Sequence, residues 1–206
     1  MNELLTFAAL AIASLWLLAK PQQTDEPNKN LMQGQLKRLW LDAYHNLMQN
    51  DVGRAERSLL ALLKLDTKNV AAYSRLGIIY ARQGLNKEAI ECFEISSSLD
   101  KGPVPLHNLA LAYMNTKQYE KAARAFEHAI ERDPDNPSRY IALAKALERM
   151  EDPKAAIKQL EKAHKIEPGS QGSTMLANAY RQIGAPDLAE EVENESLKLS
   201  KNQLKK

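Results

Sequence analysis

The sequence predicts an all-α chain in which an apolar N-terminal helix precedes an array of stacked helical hairpins. Three observations carry that prediction. Ala, Leu, Glu and Lys dominate, aromatics make up only 6 % of the 206 residues, and β-branched runs are nearly absent, a balance that favours helix over strand. A long uncharged stretch stands near the start of the chain. The remainder repeats itself every 33 or 34 residues, a period typical of hairpins that each bury one face against the next.

The first element is LLTFAALAIASLWLLA, residues 4–19, in which only Thr6 and Ser14 are polar. At about 1.5 Å per residue it reaches about 24 Å, somewhat less than the roughly 30 Å hydrocarbon core of a bilayer. Asn2 and Lys20 fall at its two ends, and Trp16 lies where an interfacial aromatic is favoured. Residues 1–20 therefore predict a single-pass transmembrane anchor, with residues 4–19 in the membrane. The competing readings are a cleaved signal peptide and a buried helix. Against the signal peptide, MNE lacks a basic n-region, and LLAKPQQ offers no small-x-small cleavage site. Lys20, Lys29, Lys37 and Arg38 follow the segment and no Lys or Arg precedes it, which predicts a cytoplasmic location for the rest of the chain. Residues 21–34, polar and containing Pro21 and Pro27, read as a linker.

The repeat then takes over. YSRLGIIYARQGLNKEAIECF, from Tyr73, recurs as LHNLALAYMNTKQYEKAARAF from Leu106 and as YIALAKALERMEDPKAAIKQL from Tyr140. A small residue recurs as Gly77, Ala110, Ala144 and Ala177, and a large one three places later as Tyr80, Tyr113, Leu147 and Tyr180. A second small residue recurs as Ala55, Ala89, Ala122, Ala156 and Ala189, with Leu59, Phe93, Phe126 and Leu160 four places beyond the first four of these. Small residues let two helices approach closely, and large ones fill the space between hairpins. A close contact would thus explain Gly77, which inside a helix costs about 1 kcal/mol relative to Ala. Asn136-Pro137 and Asp152-Pro153 pair an N-cap with a Pro in the first turn.

These residues and spacings resemble the tetratricopeptide repeat family, which implies an α-solenoid over residues 35–206. The resemblance divides the array into a degenerate unit 36–69, three strong units at 70–102, 103–136 and 137–169, and a capping unit 170–203. In the first, Asp42 stands where a leucine is expected. In the last, Glu193 takes the bulky place, and the second helix is apolar only along Leu188, Ala189, Val192, Ser196 and Leu199. In layout the chain is also similar to the bacterial lipopolysaccharide-assembly protein B family, although the cysteine-pair metal module of that family has no counterpart here.

No constellation of reactive residues accompanies the repeat. The four histidines lie on different helices, Cys92 is the only cysteine, and no phosphate-cradling glycine pattern occurs. The expectation is a non-enzyme without metal or cofactor, and a net charge of +2 is too small to argue for nucleic acid. The family resemblance implies instead a concave groove that binds a partner peptide or helix. Its inward places fall on Ile78, Arg82, His107, Leu111, Met114, Ile141, Lys145, Asn178 and Arg181. Ile78, Leu111, Met114 and Ile141 would form an apolar floor, and Arg82, Lys145 and Arg181 a basic margin. The Lys and Asn pattern with which one subfamily grips a C-terminal carboxylate is missing, with only Asn108 surviving. The sequence thus reads as a membrane-anchored scaffold for protein binding, the alternative being a periplasmic or lumenal co-chaperone or assembly factor. It leaves the oligomeric state open.

Overall fold

Helices and turns account for the whole of the described chain: the computed structural model describes residues 26–203. Ten helices follow one another: α1 (Glu26–Met48), α2 (Val52–Leu65), α3 (Val70–Arg82), α4 (Asn86–Leu99), α5 (Pro103–Asn115), α6 (Tyr119–Arg132), α7 (Pro137–Arg149), α8 (Pro153–Ile166), α9 (Gln171–Gln182) and α10 (Pro186–Gln203). They pair as α1·α2, α3·α4, α5·α6, α7·α8 and α9·α10. The chain divides after Asp66 into two compact units.

The first unit holds the α1·α2 hairpin, closed by Ala43, Ala55, Leu59 and Leu62, all buried. Asp51 caps α2 by accepting a hydrogen bond from the Arg54 N–H at 3.0 Å. Here one expectation is corrected. The segment read as a linker, 21–34, is helical from Glu26 onward. Pro27 falls in the first turn, where its missing N–H leaves no bond unmade, and only Gly34 opposes helix in the rest of the segment. Residues 1–20, read as the anchor, lie outside the described residues. Among the described residues, no helix is long and apolar enough to cross a membrane.

The second unit stacks four hairpins through α4·α5, α6·α7 and α8·α9. Small residues meet large ones as the repeat requires. A Cβ placed on Gly77 would lie 2.6 Å from Cε1 of Phe93, so the glycine is where the α4 ring seats against α3. Two bonds of equal sequence separation tie successive hairpins. The Tyr113 hydroxyl donates to Glu94 Oε1 and the Tyr180 hydroxyl to Glu161 Oε1, each at 2.7 Å. Burial first, and the carboxylate second, push both phenols up to about 12.

Each hairpin turns through one residue of left-handed backbone: Asn50, Gly84, Lys117, Glu151 and Gly184, with φ between 59° and 78°. Glycine and asparagine accept that conformation readily, whereas Lys117 and Glu151 are held in it against their preference. Asn136 and Asp152 cap α7 and α8, accepting from the N–H groups of Ser138 and Ala155 at 3.1 and 3.0 Å, with Pro137 and Pro153 opening the helices. In α10 the dry stripe is narrower than expected. Ala189 and Val192 are buried, but Leu188 is 44 % exposed.

Candidate functional site

The first helices of successive hairpins carry the candidate groove. Between α5 and α7 lies a cavity of about 390 Å³ lined by ten residues. Five of the nine groove residues predicted from the sequence meet there: His107, Leu111 and Met114 from α5, and Ile141 and Lys145 from α7. They converge because each is three or four residues from the next on one helix face, and the two helices stand in adjacent hairpins. Phe126, Ala142, Ser138, Asn115 and Gln171 complete the lining. Leu111 is exposed and Met114 half-buried, whereas Ile141 is largely buried, its Cδ1 within 3.2 Å of where a Cβ on Gly172 would sit. The floor is therefore shared between the cavity and the packing of α7 on α9.

The remaining four residues stand elsewhere. Ile78 and Arg82 are on α3 and do not line the cavity; both are exposed. Arg181 is tied by its Nη2 to Glu193 Oε2 at 2.7 Å, and its Nη1 lies 3.5 Å from Asn178 Oδ1. The sequence places Arg181 in a free basic margin. The structure instead pairs it across the last hairpin with the very glutamate that replaces the bulky residue of the repeat. Ser74, also on α3, has its Oγ 2.6 Å from Ser96 Oγ on α4.

His107 has features that spacing alone could not reveal. Its ring lies 5.3 Å from Phe126 at a tilt of 59°, and its Nδ1 is buried without a hydrogen-bond partner. Burial, and next the Arg139 guanidinium, hold its pKa below the ordinary 6.5, so the ring is neutral at neutral pH. Arg139 itself is buried at the start of α7, bound to the Asp133 carboxylate and, at 3.2 Å, to the Asp133 carbonyl. A buried arginine that acts on His107 left no signal in the repeat, because its partner is a turn residue.

A second polar cluster sits at the far end of the array. His164 Nδ1 lies 2.8 Å from Ser173 Oγ and its Nε2 2.9 Å from Glu195 Oε2, while the Gly169 N–H donates to Ser173 Oγ at 2.8 Å. The connectivity matches that of a hydrolase triad. Ser173 is only 3 % exposed, however, so its hydroxyl cannot reach a substrate, and the cluster instead clasps α8, α9 and α10 together. Cys92 is buried, and burial, with Glu91 second, pushes its thiol up to about 11, which makes it a packing residue rather than a nucleophile. Among the described residues, no group of three or more His, Cys, Asp or Glu could hold a metal ion.

The comparisons with known proteins agree with this architecture. Crystal structures of MamA superpose with TM-scores of 0.72 and 0.71, at 24 % and 25 % identity, covering 83 % and 80 % of this chain and 94 % and 97 % of theirs. The crystal structure of YrrB, a TPR protein with an unusual peptide-binding site, superposes with a TM-score of 0.63 at 18 % identity, covering 79 % of this chain and 84 % of that one. Among curated proteins, the DnaJ homolog subfamily C member 7 homolog of Schizosaccharomyces pombe is 27 % identical over 163 residues, or 70 % of this chain. Human cilia- and flagella-associated protein 70 is 26 % identical over 128 residues, or 60 % of this chain. The matches span only 34 % and 11 % of those two proteins, respectively. Family models for the tetratricopeptide repeat match residues 43–96, 103–136 and 141–203. With the repeat, the hairpin stacking and these matches in agreement, the chain belongs to the tetratricopeptide repeat family.

Proposed function

We propose that the chain is a non-catalytic binding scaffold that holds a segment of a protein partner in the groove of its first helices, so as to recruit or assemble a complex at a membrane. One observation carries the reading: residues from α5 and α7 gather around a single cavity with an apolar floor. The cavity has the size and mixed lining of a ligand site. A rigid stack keeps such a groove preorganised, so a docking segment gives up less free energy than it would against a mobile surface. The peptide-binding site of YrrB, on the same fold, points in the same direction. Residues 4–19 supply the membrane tether in this reading, and the charges that follow them orient the array toward the cytoplasm.

Site-specific photocrosslinking in living cells tests the groove. A probe at Met114 is expected to give a discrete adduct that a probe at Arg124, exposed on α6, does not. Equal adducts from both positions, or none from either, would sink the assignment. The intact mass of the mature chain tests the tether. Loss of the first twenty or so residues would replace the anchor with a signal peptide and move the array to the other side of the membrane.

A further inference from the structure

We infer that the cavity between α5 and α7 recognises a short extended segment of a protein partner in which a bulky apolar side chain is followed, within a few residues, by a carboxylate. The inference rests on the groove reading above and adds the chemistry of the occupant. It begins with the charge of the lining: among the ten residues around the cavity, Lys145 alone carries a formal charge and none is acidic. Lys145 is exposed and makes no ion pair with any described residue, although Glu148 stands one turn further along α7. Arg139 and Arg181 in the same unit are drawn off by carboxylates, whereas the Lys145 ammonium is left to the cavity it lines. A cation beside a partly closed apolar floor attracts an anion more strongly than one on an open surface, and it selects against basic segments.

His107 supplies a second polar contact. With Nδ1 buried and unpartnered, Nε2 is the one polar atom of the ring left to serve the cavity. A neutral imidazole carries a single proton, and an orphaned buried N–H is less tolerable than a bare buried acceptor, so the proton belongs on Nε2. The cavity then offers a neutral donor from α5 and a cationic donor from α7 over Leu111, Met114 and Phe126. The cationic Lys145 and the imidazole N–H, with the neutral side chains of Asn115, Ser138 and Gln171 and no acidic group, suit a carboxylate together with a backbone carbonyl, while the floor takes the apolar side chain.

The test is selection of a random peptide library displayed on phage against the full-length chain in detergent micelles. Lys145→Glu and Leu111→Asp, both at exposed positions, are screened in parallel. The wild type is expected to enrich a bulky apolar residue with Asp or Glu within three positions. A synthetic peptide of the enriched sequence should lose roughly tenfold in affinity toward Lys145→Glu, and as much when its acid is replaced by the amide, the size of one lost charge-assisted hydrogen bond. Leu111→Asp should not bind it. Enrichment of apolar peptides without an acid would overturn the inference but leave the groove in place. So would unchanged affinity for Lys145→Glu beside a silent Leu111→Asp. If Leu111→Asp binds as the wild type does, or the wild type enriches nothing, the groove reading falls and the inference falls with it.

Discussion

Two histidines in the second unit show how one fold treats its middle and its end differently. His107, which lines the central cavity, has its Nδ1 buried without a partner. His164, at the cap, has both nitrogens engaged, by Ser173 and by Glu195. The same contrast extends to the cations: Lys145 at the cavity is unpaired, whereas Arg181 near the cap is bound to Glu193. The end of the array pairs its polar groups with one another, because a terminal hairpin has no next hairpin to pack on. The middle leaves polar groups unmatched above an apolar floor that is already supported from below. Unmatched polarity beside an apolar floor is what the proposed binding at this cavity would use.

The comparison can be broken most severely through the cores. Leu176 is 1 % exposed at the cap, and Leu176→Ala is expected to cost about 2–5 kcal/mol in denaturant unfolding. Leu111 is 43 % exposed at the cavity, and Leu111→Ala should stay within about 0.5 kcal/mol of the wild type while weakening partner capture. Equal losses would mean that the cavity floor is ordinary core.

The histidines come next. His164→Phe leaves Ser173 and Glu195 without their partner and should cost about 1–3 kcal/mol, read by the same unfolding experiment. His107→Phe removes a buried unpartnered nitrogen and keeps the ring against Phe126, so it should be neutral or stabilising near pH 7. Its signature is in pH. The folded pKa of His107 lies below 6.5, so the unfolded chain takes up this proton first as pH falls. The wild type therefore loses stability from about pH 6.5 down to the folded pKa, and His107→Phe should lose less over that window. Parallel pH profiles for the two proteins would show that His107 is not buried as described.

Smaller effects sharpen the picture. Glu151→Gly relieves left-handed backbone at the turn after α7 and should stabilise by about 0.5–1 kcal/mol in thermal unfolding. Arg181→Ala removes an exposed ion pair and should cost about 1 kcal/mol or less, with partner binding unchanged. A loss of binding would return Arg181 to the groove.

Much of the fold was legible because a repeat prints its packing on the sequence. Gly77 could be read as a close contact from the residues alone, since the small place recurs in every strong unit, but that Phe93 of the same hairpin is its partner came from the structure. The helix starts at Pro137 and Pro153 followed from the cap before each proline. The extension of α1 back to Glu26 did not, because prolines and polar residues describe a linker and the first turns of an exposed helix equally well. The candidate site was legible only in part. The family resemblance put His107, Leu111, Met114, Ile141 and Lys145 on inward faces, and these are residues that α5 and α7 bring together. It could not tell that Arg181 would be drawn away by Glu193, or that a turn residue, Asp133, would bind Arg139 beside the cavity.

By itself, the sequence determined what depends on neighbours within one turn or one repeat: helix, cap, period, and the alternation of small and large. Only the tertiary structure decided which polar groups are satisfied. That outcome depends on side chains from different helices meeting at hydrogen-bond distance, and a shift of one residue at either end is enough to change the partner. The left-handed turns at Lys117 and Glu151 belong to the second kind, since no local preference favours them and the closed hairpin imposes them. So does the unpaired Lys145, whose freedom is a fact about every residue around it rather than about lysine.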